Sequence, residues 1–259
     1  MKSKYPFILV HGIMIKDYKF LKAFCRIEHV LREAGYPTFT SLTDAFGTIE
    51  YNAEVLKHQI EVIMKEYNVD KVNLIAHSKG GLDCKYMIQH LNMEDHVASL
   101  TTLCTPHLGS EIATNILKLP KPIIKLMEFS LNTTYKIFGD HKPDCLTVAK
   151  QLVKKQHIED ETIHFSNKVY CQSYSTTMDK SSDDFVMGIP LKFSVHFEKD
   201  TSDGLVSKHS TKFGHYKGDA IDDSISHTEI VDFMVKKSKK EKIYAFYLDL
   251  CDELTERGF

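Results

Sequence analysis

"VNLIAHSKGGLD", residues 72–83, seats one serine between an apolar, β-branched run and a pair of glycines. "KVNLIA" (71–76) reads as a buried strand, and the segment from Lys79 to Leu91 is compatible with a helix. A serine on a strand-to-helix corner, with small residues two places before and after it, is the G-x-S-x-G nucleophile elbow, here with Ala76 in place of the first glycine. Small side chains are needed there because neighbouring backbone passes close to the corner. A chance serine beside a Gly-Gly turn is the competing reading, and the strand before and helix after favour the elbow.

Outward from this corner the chain keeps one rhythm. "FILV" (7–10) is a short buried strand, and Phe20, Phe24, Ile27 and Leu31 recur at helical spacing until "AGYP" (34–37) stops them. "TFTS" (38–41) is a second strand, and Ile49, Ala53, Leu56, Ile60 and Ile63 form a helical stripe ending near Asn68. "VASLTTLC" (97–104) and "KVYCQSYS" (168–175) are further strands, and Ile243, Phe246, Tyr247, Leu250 and Leu254 give a closing helix. Strands alternating with helices predict an α/β fold, a mostly parallel central sheet with helices on both faces, in a single domain over 1–259. Residues 110–165, with the proline-interrupted "ILKLPKPIIKLMEFSL", and residues 176–202 break the rhythm. Both follow strand ends, where α/β proteins place binding loops.

A chain of 259 residues, 42% hydrophobic, can bury a sizeable core. A net charge of −2 with both signs dispersed gives no footprint for nucleic acid, and "KKSKK" (236–240) reads as a solvated helix end. Six cysteines lie far apart, at 25, 84, 104, 145, 171 and 251, without a C-x-x-C pair, which favours buried reduced thiols. The apolar run Pro6–Val10 is too short for a signal peptide, and no stretch has the eighteen apolar residues of a membrane span. These features predict a cytoplasmic protein with no integral membrane segment.

A serine hydroxyl attacks only when a histidine takes its proton and a carboxylate fixes that histidine's tautomer. On this fold the order is Ser, then Asp or Glu, then His. "TSDGLVS" (201–207), after the alternating "LKFSVHFE", offers Asp203, and "SISHTEIVDF" (224–233) offers His227 at a helix start. Asp200, His209 and His215 are the nearest rivals. Oxyanion donors would be the N–H of Lys79, after the serine, and that of Ile13 in "VHGIM" (10–14), where Gly12 permits a tight turn. This chemistry requires no cofactor.

"PFILVHGI", "NLIAHSKGGLD", "VASLTTLCTPHLGSEIA" and "SDGLVS…SHTEIVDF" together resemble bacterial triacylglycerol lipases of the α/β-hydrolase superfamily, the Pseudomonas and Burkholderia type with their shorter Firmicutes relatives. The match runs in order from about residue 5 to 235, and "TPHLGS" (105–110) is a distinctive marker of it. The resemblance implies Ser78 as nucleophile, Asp203 as orienting acid, His227 as base, and Ile13 and Lys79 as backbone oxyanion donors. It also implies a helical lid or cap at about 110–165 over a hydrophobic acyl chain, with transient contact to a lipid interface. Some relatives hold a structural calcium with an Asp two residues after the histidine. Glu229 has that place here, with Asp179, Asp183 or Asp184 as the possible partner. The expected activity is a serine carboxylester hydrolase acting on a small-molecule or lipid ester. An acyltransferase with the same triad, and a non-catalytic binding protein on the same fold, are the competing functions.

Overall fold

Parallel strands form the centre of the computed structural model, which describes residues 2–19, 21–153, 167–184, 186–188, 191 and 200–259. In chain order they are β1 (Phe7–Val10), β2 (Thr38–Thr40), β3 (Val72–His77), β4 (Val97–Leu103), β5 (Tyr170–Thr177) and β6 (His215–Ser224). They pair in the order β2-β1-β3-β4-β5-β6, every described pairing parallel. The helices described along their whole length are α1 (Ile27–Glu33), α2 (Ile49–Tyr67), α3 (Lys79–His90), α4 (Glu111–Ile116), α5 (Lys121–Ile137), α6 (Cys145–Gln151) and α7 (Lys237–Glu256).

Side chains alternate across a strand, so each strand feeds two cores. Phe7, Leu9, Ile75 and Leu103 pack with Ile27 and Leu31 of α1 and with Ile243, Tyr247, Leu250 and Leu254 of α7. Ile8, Val10, Leu74, Ala76 and Leu100 face the other way, onto Ala53, Leu56, Ile60 and Ile63 of α2 and Cys84, Met87 and Ile88 of α3. Because β1, β3 and β4 are covered on both sides, they are buried at every position. Helix α2 begins where the Thr48 side chain accepts the Tyr51 N–H and stops at Asn68, whose left-handed backbone ends the spiral.

The central elements lie where apolar periodicity puts them. Helix α1, however, starts at Ile27: Phe24 reaches the core from the turn before it, and Phe20 lies outside the described residues. Strand β6, "HYKGDAIDDS", was not foreseen. It is an edge strand with no fully buried residue, and its register against β5 shifts twice, so it carries neither an apolar run nor an alternation. Residues 154–165 of the first irregular stretch, and 192–198 of "LKFSVHFE", fall outside the described residues.

Helices α4, α5 and α6 occupy the connection from β4 to β5. The chain after α5 is fastened to the body by Asp140, whose carboxylate accepts the N–H groups of Ala45 and Phe46 at 3.0 and 2.9 Å and pairs with Lys16 Nζ at 2.9 Å. Helix α5 itself has no buried residue.

Candidate active site

Strand β3 delivers Ser78 to a corner with φ 55° and ψ −133°, a strained conformation for a residue with a Cβ. The corner is held from several sides. The Ser78 N–H donates to Leu103 O at 2.9 Å, and its carbonyl accepts from Thr105 Oγ1 at 2.8 Å. A Cβ on Gly80 would stand 2.6 Å from the carbonyl oxygens of both Val10 and His11, and one on Gly12 would stand 2.6 Å from Ser78 Cβ. Ala76 is fully buried between β1 and β4, so its methyl fits where the motif usually has glycine.

The chain after β5 brings Asp203, and the loop after β6 brings His227, to this serine. His227 Nε2 lies 2.9 Å from Ser78 Oγ, and His227 Nδ1 lies 2.7 Å from Asp203 Oδ2. The other Asp203 oxygen accepts the N–H groups of Leu205 and Val206 at 2.9 and 2.8 Å, which fixes the carboxylate's orientation. A carboxylate only accepts, so Nδ1 carries the imidazole proton and Nε2 is free to take the serine's. All three residues are buried. The rivals are elsewhere: Asp200 accepts the N–H groups of Thr201 and His209, and His215 stacks on Tyr170 at the amino end of β6.

The N–H groups of Ile13 and Lys79 have no protein acceptor among the described residues. The Lys79 side chain turns inward, where Nζ meets Asp83 Oδ1 at 2.6 Å while Asn52 Nδ2 donates to Asp83 Oδ2 at 3.0 Å. Burial pushes the Asp83 carboxyl up to about 6 despite that lysine. Ser78 and His227 open onto a cavity of about 240 Å³. Its walls are almost wholly apolar and include Ile13 and Phe46, Met127 and Leu131 of α5, and Val148 of α6.

Two neighbours of the triad escaped the sequence reading. The His77 ring lies against His227, centroids 4.6 Å apart, and its Nε2 reaches the His227 carbonyl at 2.9 Å. Cys104 Sγ lies 3.2 Å from Thr176 Oγ1 and within 4.8 Å of the Asp203 and His227 donor atoms. Burial, with the Asp203 charge beside it, raises this thiol's pKa well above its ordinary value. The one signal for either was its position at the carboxyl end of an expected strand. Cys104, Asp203 and His227 bring three donor atoms together, but the Asp203 carboxylate and the His227 imidazole are already joined to each other.

The residues near Glu229 do not fit a calcium ion. Both Glu229 oxygens meet Lys239 Nζ, at 3.0 and 2.8 Å, so an ammonium already neutralises that carboxylate. Asp184 accepts from Ser226 and Thr228 hydroxyls and from the Val186 and Met187 N–H groups, and Asp183 accepts from Ser224 Oγ.

Known proteins agree with this architecture. The sequence pattern of the palmitoyl protein thioesterase family matches residues 6–183. The triacylglycerol lipase 2 of Saccharomyces cerevisiae is 28% identical over 266 residues, covering 90% of this chain and 73% of that protein. The triacylglycerol lipase of Burkholderia plantarii is 33% identical over 117 residues, covering 43% of this chain and 32% of that protein. Among solved structures, the Staphylococcus hyicus lipase superposes with a TM-score of 0.71 at 16% identity, covering 98% of this chain and 96% of that one. A metagenomic carboxyl esterase gives 0.74 at 14% identity, covering 97% and 76%. These structures share the α/β-hydrolase fold. On the strength of the pattern over residues 6–183, the chain belongs to the palmitoyl protein thioesterase family.

Proposed function

We propose that the protein is a serine hydrolase that cleaves esters of a hydrophobic acyl chain through an acyl-enzyme, with no cofactor. Ser78 Oγ attacks the acyl carbonyl as His227 Nε2 takes its proton, and Asp203 stabilises the resulting imidazolium. The N–H groups of Ile13 and Lys79 receive the oxyanion. His227 then protonates the leaving group, and water activated by the same imidazole releases the acid. The observation carrying this reading is the Ser78–His227–Asp203 line at 2.9 and 2.7 Å, set at the floor of an apolar cavity.

Helices α4–α6 act as the cover of that cavity. Helix α5 lines it with Ile124, Met127 and Leu131 while Leu126 and Phe129 stand about 70% exposed, which suits brief contact with a lipid surface. No helix among the described residues is long and apolar enough to cross a membrane. All six cysteines are unpaired, as suits a protein of the reducing cytoplasm. The family match favours a second reading of the same site, in which the substrate is a thioester; the attack and proton transfers are unchanged.

A panel of nitrophenyl esters of graded chain length, with thioesters of the same acids, tests the proposal. Turnover should rise with acyl length until the cavity is filled, and Ser78→Ala should abolish it with the fold retained. Full hydrolysis by Ser78→Ala would refute the mechanism.

A further inference from the structure

The base of this site is held by its backbone as well as by its ring. The His227 N–H donates to the Asp203 carbonyl at 2.8 Å, and the His227 carbonyl is 2.9 Å from His77 Nε2. A carbonyl only accepts, so His77 is the donor and Nε2 carries its proton. His77 is the last residue of β3 and is bonded covalently to Ser78, and burial, with His227 beside it, holds its pKa well below the usual histidine value. A closed ring results: Ser78, the peptide to His77, the imidazole N–H to the His227 carbonyl, and the His227 ring back to Ser78 Oγ.

We infer that His77 is a positioning residue for the reaction: its Nε2–H fixes the main chain of His227 relative to the nucleophile and so sets the Oγ···Nε2 separation. The inference rests on the hydrolase reading of the same site. A neutral donor serves this purpose without opposing the imidazolium that forms during turnover, with its ring centroid only 4.6 Å away. Reactions of this kind lose about 100-fold for a misplacement of about 1 Å. A His77 that merely filled space would be replaceable by any ring of similar size.

The test compares donors of equal chemistry and different reach. A glutamine amide places its nitrogen near the position of Nε2, whereas an asparagine amide stops near Nδ1. With a dissolved short-chain nitrophenyl ester, His77→Gln should keep kcat within about fivefold of the wild type. His77→Phe and His77→Asn should each lose roughly 10- to 100-fold in kcat with KM within about twofold. Fluorophosphonate labelling of Ser78 should slow in parallel, and thermal melts should show folded variants. Should His77→Phe not fold, the glutamine and asparagine pair still decides. Asparagine matching wild-type kcat, or glutamine falling as far as asparagine, would overturn the inference. A wild-type protein that neither hydrolyses esters nor labels at Ser78 would instead overturn the hydrolase reading.

Discussion

The corner around Ser78 and the helix α5 above it face the same cavity and are built in opposite ways. At the corner, residues 72 to 81 are all buried, and the carbonyls of Val10 and His11 leave no room for a Cβ at Gly80. In α5, by contrast, no residue is buried, and Leu126 and Phe129 are 69% and 72% exposed. Close packing fixes atoms to fractions of an ångström, as proton transfer requires, whereas a loosely seated amphipathic helix can yield to chains of different length. On this view reaction geometry belongs to the carboxyl end of the sheet and substrate acceptance to the helical cover. Substitutions at the corner should change rate or foldedness, and substitutions in α5 should change selectivity.

After loss of the nucleophile itself, the largest effect belongs to Asp203→Asn. The N–H groups of Leu205 and Val206 would hold the amide oxygen, turning the amide nitrogen toward His227 Nδ1 and forcing the wrong tautomer. A loss of about 10⁴-fold in kcat is expected with little change in melting temperature. A drop under tenfold in ester turnover would break the comparison at its strongest point. Gly80→Ala comes next and acts on folding, since its methyl would overlap two carbonyl oxygens of the β1 end. A destabilisation of roughly 3 kcal/mol or more, read from urea unfolding, is expected.

The same contrast explains what the sequence disclosed. Buried parallel strands announce themselves as continuous apolar runs, so β1, β3 and β4 were legible, and the elbow is a local pattern of five residues. Asp203 and His227 were legible as candidates because chain order is a property of the fold, though Asp200, His209 and His215 could be set aside only when distances were known. Strand β6 was hidden because an edge strand of polar, half-buried residues owes its conformation to β5 beside it. The pairings of His77 with the His227 carbonyl, across 150 positions, and of Lys239 with Glu229 come from tertiary packing that no local pattern encodes.

Acid should attack the packed half selectively. Burial lowers the pKa of His11, His77 and His107, the last to about 3. The unfolded chain takes up these protons below about pH 6.5, whereas the fold resists until lower pH, so this stability is complete above 6.5 and is lost as pH falls. His107 stacks on Phe213 and bonds Thr102 Oγ1 at 3.1 Å. Its share of the loss should be about 2 kcal/mol at pH 5. Denaturation midpoints measured from pH 7 to 4 should fall less steeply for His107→Leu, by about one proton; an unchanged slope would place a charged His107 inside the fold.

The smallest expected effect on stability is at the exposed face of α5, where Phe129→Ser and Leu126→Ser remove apolar surface that touches little of the body. Each should shift unfolding by less than about 0.5 kcal/mol. Neither side chain lines the cavity, so turnover of a dissolved short-chain ester should stay at the wild-type level. The discriminating measurement uses a longer ester below and above its aggregation point. If this face meets lipid, the double variant should lose several-fold in activity on aggregated substrate alone, because the area it would bury there is gone. Equal losses on dissolved and aggregated ester would mean that α5 supports the chemistry itself, and the division between a rigid corner and a yielding cover would fail.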